Sequence, residues 1–518
     1  MRNKEKKSFR LLCVCMAALM LCACSAPQIE TAELVPSAAT PRPEMDRESP
    51  RYEAELFFPT SNSRELLPES RQIIMDGNIS HTEAALRVLC GGASTQSQLS
   101  ILQNGVEFEK AEVSSESCNV YFRGNVSLDE KQWLITRAAV AATVNAVQGI
   151  PFVNLYYNQM EPGYLDRPLG AISPILENLD VYIKNMELEY EALQTEREEN
   201  VEETSFEMRN ATVYFTDTQT GLLLAQNRVI SYSASASEND ILNILLETMR
   251  NAATADNKNV RSALPAGLRL VDPPSFIKDA DFTEPSDAAD QTSNEGTSSR
   301  TTGIVELAFF EPDIEYDEEL LCGALTLTLT GYIPLVRGIR ILFQDANGEI
   351  RNPSSIDLFT RDMFSDLIGC SIPLDYPNED GTGLHSVKRT VSNAESYMLE
   401  SRLQTLLSES TDTGVSFIGF SPEDVRNVYI TGDTAVIDWQ PGFASKLRAL
   451  ETNEDIIIPT ERRIWIYIYS IINTMTEFPG IQRVWMLENG RKMGAIGDIY
   501  LGNSLMRNPG LILEPAND

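Results

Sequence analysis

Histidine is the side chain that most often transfers protons near neutral pH, and this sequence has only two. His81 follows Ser80 at the predicted start of a helix, and His385 is predicted to lie in a glycine-rich turn beside Ser386. A Ser/His/acid triad can be imagined at either position, but both histidines are predicted to be exposed to solvent. The sequence therefore predicts no catalytic residue, and we interpret the protein as a non-enzyme.

Metal-binding and nucleotide-binding sites require characteristic spacings of ligand residues or glycines, and the sequence lacks these spacings. No two cysteines stand at the spacing of zinc ligands, and no glycine-rich phosphate loop of the Walker or Rossmann type is present. The run Asp345 to Glu349 resembles half of a calcium loop, but its Asn347-Gly348 pair between strands is more typical of a hairpin turn. The sequence predicts no metal site and no cofactor.

Carboxylates are abundant, so a glycosidase pair is not excluded by counting alone. The densest group comprises Asp313, Glu315, Asp317, Glu318 and Glu319. Acidic residues just before an apolar helix usually form its solvated first turn, where the helix dipole favours them. We interpret this cluster as such a turn.

Cys24 is the one residue with a predicted covalent chemistry. A basic head, Arg2 to Arg10, precedes the apolar run Leu11 to Leu21, and the sequence continues as Leu21-Cys22-Ala23-Cys24. This layout is typical of an export signal that is cut before a lipidated cysteine. We predict a signal peptide over residues 1–23 and acyl chains on Cys24 that anchor the protein on the extracytoplasmic face of the cell membrane. The alternative is a secreted protein cleaved near Ala23, with Cys24 incidental.

Four further cysteines, Cys90, Cys118, Cys322 and Cys370, follow the predicted signal. Outside the cell they could form one disulfide in each of two domains. Four buried thiols are the other interpretation, which we prefer because large cores need no covalent staple.

The chain is strongly acidic, with a net charge of −33. Residues 1–23 carry five basic residues and Glu5, so their removal takes the net charge to −37. Such a polyanion is repelled by nucleic acid and by anionic lipid headgroups. Proteins with basic surfaces are the expected electrostatic partners.

Composition divides the chain further. Residues 24–50 are rich in Ala, Pro, Thr, Glu and Ser and predict a flexible tether. The composition of residues 179–207 predicts an acidic helix followed by a linker. The composition of residues from about 279 to 302 predicts a disordered insertion inside a domain. No second run of about twenty apolar residues follows the signal.

An internal repeat indicates the architecture. Each copy begins with two strand-like runs: 54–58 and 71–74, 211–215 and 228–230, and 372–376 and 389–391. Each second run is followed by a helix-start pattern in which Ser precedes an acid by three residues: Ser80/Glu83, Ser237/Asp240 and Ser392/Glu395.

Each copy then continues with a glycine and an apolar triplet, predicted as a strand: 106–108, 268–270 and 415–417. A long apolar segment follows, and a last strand closes the copy, at 153–157, 339–343 and 484–488. Residues 324–329 alternate like a strand, but they align with 137–142, so we predict a helix there. The repeat predicts three tandem α+β domains, 51–178, 208–370 and 371–518, each a mixed β-sheet with two helices packed on one face.

The segment Leu264 to Leu270, preceded by a helix, resembles the GerMN domain of sporulation and spore-germination lipoproteins. The segment from Phe478 to Gly490 is similar to the closing strand and turn of that domain. The resemblance extends over three diverged copies. It implies non-catalytic domains, similar to ring-building folds, that act through protein contacts.

These observations predict a lipid-anchored scaffold or adaptor that contacts other envelope or sporulation proteins, in spore formation, germination or envelope assembly. Self-association is left open. The alternatives are a solute-binding lipoprotein of a transporter, which would need a deep cleft, and a hydrolase acting on the cell wall.

Overall fold

The structure is a computed structural model. It describes residues 51–75, 79–95, 98–165, 167–175, 178–199, 206–233, 236–251, 259–283, 301–378, 382–408, 419–452 and 460–513. The predicted signal, Cys24 and the tether 24–50 lie outside these residues. The described residues form three hydrophobic cores, and we call the elements around them the first, second and third units.

The first unit begins with an antiparallel hairpin and ends with an acidic helix. Its strands pair as β1–β2 and as β3–β4–β5, where β4 and β5 are parallel. Leu179 and Ile183 of α3 pack in its core. Its elements are β1 (Arg51–Pro59), β2 (Leu66–Ile74), α1 (His81–Cys90), β3 (Val106–Val113), β4 (Ser117–Gly124), α2 (Glu130–Gln148), β5 (Phe152–Tyr157) and α3 (Leu179–Glu199).

The second unit repeats this order. Its hairpin forms the sheet β7–β6–β8, and its second sheet has the order β12–β11–β10–β9 with β10 and β11 parallel. Its elements are β6 (Phe206–Asp217), β7 (Leu223–Ser233), α4 (Glu238–Arg250), β8 (Val260–Arg261), β9 (Ser275–Thr283), β10 (Thr301–Phe310), α5 (Glu318–Leu329), β11 (Val336–Gln344) and β12 (Ile350–Arg351). A 3-10 segment, Arg361–Leu367, leads to the third unit.

The third unit again has a hairpin, β13–β14, and a second sheet, β15–β16–β17–β18, in which β16 and β17 are parallel. Its elements are β13 (Gly369–Pro377), β14 (Leu384–Ser392), α6 (Asn393–Ser396), α7 (Leu399–Leu407), β15 (Val425–Thr431), β16 (Thr434–Trp439), α8 (Phe443–Ala449), α9 (Thr460–Thr476), β17 (Arg483–Glu488), β18 (Arg491–Lys492), β19 (Ala495–Ile496), β20 (Ile499–Tyr500) and β21 (Leu505–Met506).

The predicted α+β class is confirmed, but each unit has more than one sheet instead of a single mixed sheet with both helices on one face. The reason lies in the helices α2, α5 and α9, which contact the hairpin of their unit as well as its second sheet. Every residue from Trp133 to Val144 of α2 is buried, as is every residue from Leu320 to Leu329 of α5. A helix that is buried on all sides needs neighbours on all sides, and the separate hairpin supplies part of that cover.

Residues 324–329 are helical, as predicted from their alignment with the first copy. The strand predicted at 268–270 is wrong: only an isolated bridge joins Leu270 to Phe309, and the strand begins at Ser275. Its counterpart at 415–417 lies outside the described residues.

The predicted insertion is narrower than 279–302, since β9 continues to Thr283 and β10 starts at Thr301. The rest of it lies outside the described residues. Within the part of the chain that the structure describes, no helix is both long enough and apolar enough to cross a membrane.

Candidate functional site

The predicted reactive residues do not come together. His81 is buried, with 3% of its surface exposed, so the prediction that it is solvated is wrong. The reason is that Tyr52 and Phe478 cover its ring, with centroids at 4.9 and 5.1 Å. His385 is exposed, but it lies on strand β14 and not in a turn.

The acidic cluster forms the start of helix α5. Asp317 caps the helix by accepting a hydrogen bond from the backbone N–H of Leu320 at 3.0 Å. Glu318 accepts hydrogen bonds from the Arg351 guanidinium and from the backbone N–H of Ser354, both at 2.7 Å. These carboxylates thus serve local structure, in agreement with the sequence interpretation.

The Asn347-Gly348 pair lies in the turn between β11 and β12, as predicted. The carboxylate of Asp345 accepts hydrogen bonds from the backbone N–H groups of Asn347 and Glu349, at 2.8 and 2.7 Å. Among the described residues, no three His, Cys, Asp or Glu side chains are grouped closely enough to hold a metal ion.

Cys90, Cys118, Cys322 and Cys370 are free thiols, and the last three are buried. Burial raises the pKa of Cys90 and of Cys322 to about 12, so both thiols are protonated and unreactive at neutral pH.

A buried polar network joins the first and second units. The Arg361 guanidinium of the second unit stacks 4.1 Å from the ring centre of Tyr156, which itself stacks on Tyr121. Arg361 also donates to the backbone C=O of Leu327 at 2.7 Å and to the hydroxyl of Thr330 at 3.1 Å. The guanidinium therefore couples the strands β4 and β5 to the helix α5.

Two asparagines continue this junction. Asn154 donates to Asn119 at 3.1 Å and to the hydroxyl of Thr212 at 2.8 Å. Asn119 in turn donates to the hydroxyl of Tyr214 at 2.8 Å. Because all four side chains are buried, each polar group needs the partner that the other unit supplies.

The third unit contacts both of the others. Thr390 donates to the Asp217 carboxylate of the second unit at 2.6 Å, and Asn393 accepts from the backbone N–H of Val113 in the first unit at 2.9 Å. The three units therefore meet pairwise, and surfaces that combine residues from two units are fixed in the fold.

One such surface is a groove of about 600 Å³ between the first and third units. Among the described residues, its lining is mostly apolar and aromatic, and it includes the charged side chains of Arg51 and Glu400. The first unit contributes Tyr52, Met75, Ile79 and His81, and the third contributes the start of α7, residues 428–430 of β15 and residues 478–481. We call this surface the 1–3 groove.

His81 holds the two walls of the 1–3 groove together. The hydroxyl of Tyr52 donates to its backbone C=O, and its imidazole donates to the backbone C=O of Pro479. Burial lowers the pKa of His81 to about 4, although the hydrogen bond to Pro479 acts in the opposite direction. The imidazole is therefore neutral at physiological pH.

A groove of this kind can hold apolar side chains. The sequence did not predict this groove, because its walls come from units that are far apart in the sequence and its shape depends on how those units pack together. Only the aromatic character of Tyr52, Tyr397 and Phe478 was visible beforehand.

The arrangement defines a chain of small α+β units that meet through buried polar junctions. Within it, residues 374–494 match the family described as Germane, sporulation and spore germination. This match confirms the predicted resemblance for the third unit.

Two solved structures are also similar. The tandem GerMN domains of the sporulation protein GerM from Bacillus subtilis are 15% identical, with 60% of this chain and 99% of that chain covered and a TM-score of 0.21. A presumed lipoprotein from Clostridium perfringens is 18% identical, with 25% of this chain and 88% of that chain covered and a TM-score of 0.16. Comparison with curated protein sequences finds no match.

Proposed function

We propose that the protein is a non-enzymatic scaffold that holds other envelope proteins during spore formation, germination or envelope assembly. The observation that carries the proposal is the 1–3 groove, an apolar surface whose walls come from two units fixed against each other. Apolar and aromatic surface that stays accessible is typical of sites where proteins bind one another. The Germane match in residues 374–494 supports the sporulation and germination setting.

The proposal includes an anchor. Acyl chains on Cys24 would hold the chain on the extracytoplasmic face of the membrane, and residues 24–50 would separate the folded units from the lipid surface. The net charge of −37 after signal removal favours this separation, because anionic headgroups repel it. It also favours partners with basic surfaces, whose association is faster at low salt.

Site-specific photo-crosslinking in envelope preparations tests the scaffold. A photoreactive amino acid replaces Gln404 in the groove, and a matched variant carries it at Asn347, on the exposed turn of the second unit. We expect discrete protein adducts from position 404, reduced at high salt, and none of the same mass from position 347. Adducts that are identical at both positions would contradict a role for the groove.

An activity assay tests the non-enzymatic part. The purified protein and its His385→Ala variant are incubated with peptidoglycan and with generic esterase and peptidase substrates. We expect no turnover by either protein. A hydrolytic activity that disappears in a folded His385→Ala variant would end the scaffold proposal.

A further inference from the structure

The strand β15 lies at one end of the order β15–β16–β17–β18 and forms one wall of the 1–3 groove. A strand at the end of a sheet has backbone N–H and C=O groups that point away from its single neighbour. Two things decide whether β15 can pair with a further strand: which of its backbone groups point away from β16, and whether other residues of the protein cover those groups.

The turn between β15 and β16 determines which backbone groups of β15 point outward. Thr431 pairs with Thr434, so the loop has two residues, and Gly432 has a φ of 61°, as the first position of a type II′ hairpin requires. The pair that flanks a two-residue loop exchanges both of its hydrogen bonds, and such pairs alternate along the ladder. Thr431, Tyr429 and Asn427 therefore bond to β16, while the backbone groups of Val428 and Ile430 point outward.

The first unit shows one way in which such an edge is closed. Its strand β3 also ends in a two-residue loop, because Ser114 bonds to Ser117, so Ala111 and Val113 correspond to Val428 and Ile430. The N–H of Val113 donates to the Asn393 side chain at 2.9 Å, and the N–H of Ala111 lies 3.5 Å from a carboxylate oxygen of Glu83. Both outward N–H groups of β3 therefore face side-chain acceptors.

The third unit lacks this cover. The residue equivalent to Glu83 is Glu395, whose carboxylate instead accepts hydrogen bonds from the N–H and hydroxyl of Ser392 in a capping box. Within the described residues, no group outside the β15–β16 pair hydrogen-bonds to the backbone of Val428 or Ile430. The edge of β15 thus presents two donors and two acceptors at the wall of an apolar groove.

We propose that an extended segment of a partner protein binds here by adding a strand to β15. Its backbone pairs with Val428 and Ile430, and its alternate side chains enter the 1–3 groove beside Tyr52 and Phe478. The irregularity between Val425 and Asn427 ends the regular edge, so pairing is confined to residues 428–431. The segment carries apolar residues at alternate positions and basic residues beside them, which suit the acidic chain.

This inference rests on the proposed scaffold function and identifies the class of partner. It differs from a general apolar contact, because its specificity depends on backbone N–H groups. A proline substitution removes such a group without breaking a bond to β16, since the N–H of Ile430 points outward. Ile430→Ala removes the same side chain but keeps the N–H, and it is the matched control.

The probe is a displayed library of random twelve-residue peptides, selected on the folded chain from residue 51 onward. We expect enriched peptides with apolar residues at alternate positions and without proline in their centre. A fluorescent copy of one such peptide should bind Ile430→Pro about tenfold more weakly than Ile430→Ala, the effect of losing one or two backbone hydrogen bonds. Val428→Pro serves as the second variant if Ile430→Pro does not fold.

Amide hydrogen exchange supplies an independent readout. Peptide binding should slow exchange at Val428 and Ile430 and leave Ala111 and Val113 unchanged. Equal affinities of Ile430→Pro and Ile430→Ala, or unprotected amides at 428 and 430, would overturn the proposal. If the photo-crosslinked adducts from position 404 persist in Ile430→Pro, the scaffold function survives and strand addition alone fails.

Two other occupants of the β15 edge would give results that differ from those expected for a partner protein. Concentration-dependent dimers of the unbound chain that disappear in Ile430→Pro would assign the edge to a second copy. Peptide binding that requires replacement of residues 409–418 by a Gly/Ser linker would assign the edge to the chain itself. Either outcome overturns the partner proposal.

Discussion

The imidazole of His81 meets the phenyl ring of Phe478 edge-on, with 5.1 Å between the ring centroids and 73° between the ring planes. One residue belongs to helix α1 of the first unit, and the other lies between α9 and β17 of the third. This buried aromatic contact joins the first and last units of the chain, and both residues line the 1–3 groove.

We expect this contact to weaken in acid. Because the pKa of His81 is lowered to about 4 by burial, the unfolded chain binds a proton between about pH 6.5 and 4 that the folded chain does not. The free energy of unfolding should therefore fall as pH decreases through this window, by about 3 kcal/mol in total and by about 2 kcal/mol between pH 7 and pH 5. Urea denaturation at pH 7 and pH 5 measures the change.

The control for that measurement is His81→Gln, which cannot titrate. It should be less stable than the parent at pH 7, because its amide replaces a ring packed between Tyr52 and Phe478. Its loss of stability between pH 7 and 5 should be smaller than that of the parent. Equal losses in the two proteins would contradict a buried neutral imidazole.

Glu161 should have the opposite dependence. Burial raises the pKa of its carboxyl group to about 8, although the Arg137 guanidinium, 3.9 Å away, acts in the other direction. A raised carboxyl pKa means that the folded chain holds a proton that the unfolded chain loses above about pH 4.5, so stability declines as pH rises toward 8. We expect Glu161→Gln to be more stable than the parent by about 4–5 kcal/mol at pH 9 and nearly equal to it at pH 5.

The sequence was sufficient for the order of elements and for several of their ends. The Ser237/Asp240 and Ser392/Glu395 pairs form the capping boxes that their spacing predicts. In the first unit Ser80 caps the N–H of Glu83, but the Glu83 carboxylate contacts Arg87 and strand β3 instead. A local pattern predicts the helix start, whereas a more distant strand decides where a long side chain points.

The 1–3 groove was beyond sequence reasoning for the same reason. His81 was expected to be exposed because it begins a helix, and only the packing of Phe478 against it shows otherwise. The predicted number of sheets in each unit was also wrong, because the repeat gives the order of the strands but not which strands hydrogen-bond to one another. Strand partners depend on how a fully buried helix such as α2 is covered on each side.

Arg361 is expected to be the most sensitive position of the junction between the first and second units. Its removal leaves the carbonyl of Leu327 and the ring face of Tyr156 without a partner in a buried site. We expect Arg361→Met to lower the free energy of unfolding by about 3 kcal/mol. Hydrogen exchange should become faster in strands β4 and β5, which hold Tyr121 and Tyr156.

Arg361→Lys is the matched variant, because it keeps the charge but not the planar group that stacks on Tyr156. It should lose less stability than Arg361→Met in urea denaturation. If Arg361→Lys and Arg361→Met lose the same free energy of unfolding, the junction is stabilised by the planar stacking on Tyr156 and not by the charge. If neither loses stability, the guanidinium network does not hold the units together.

The last prediction concerns Cys24, which the sequence predicts to be lipidated. Acyl chains contribute about 0.8 kcal/mol for each buried CH₂ group, so two or more chains make membrane binding stable and their loss makes it fail. We expect Cys24→Ala to abolish metabolic labelling with palmitate and to move the protein from the membrane to the soluble fraction. Cys22→Ala removes a cysteine two positions earlier and should leave labelling and membrane attachment unchanged. Labelling that persists in Cys24→Ala, or that is lost equally in both variants, would show that the anchor is elsewhere.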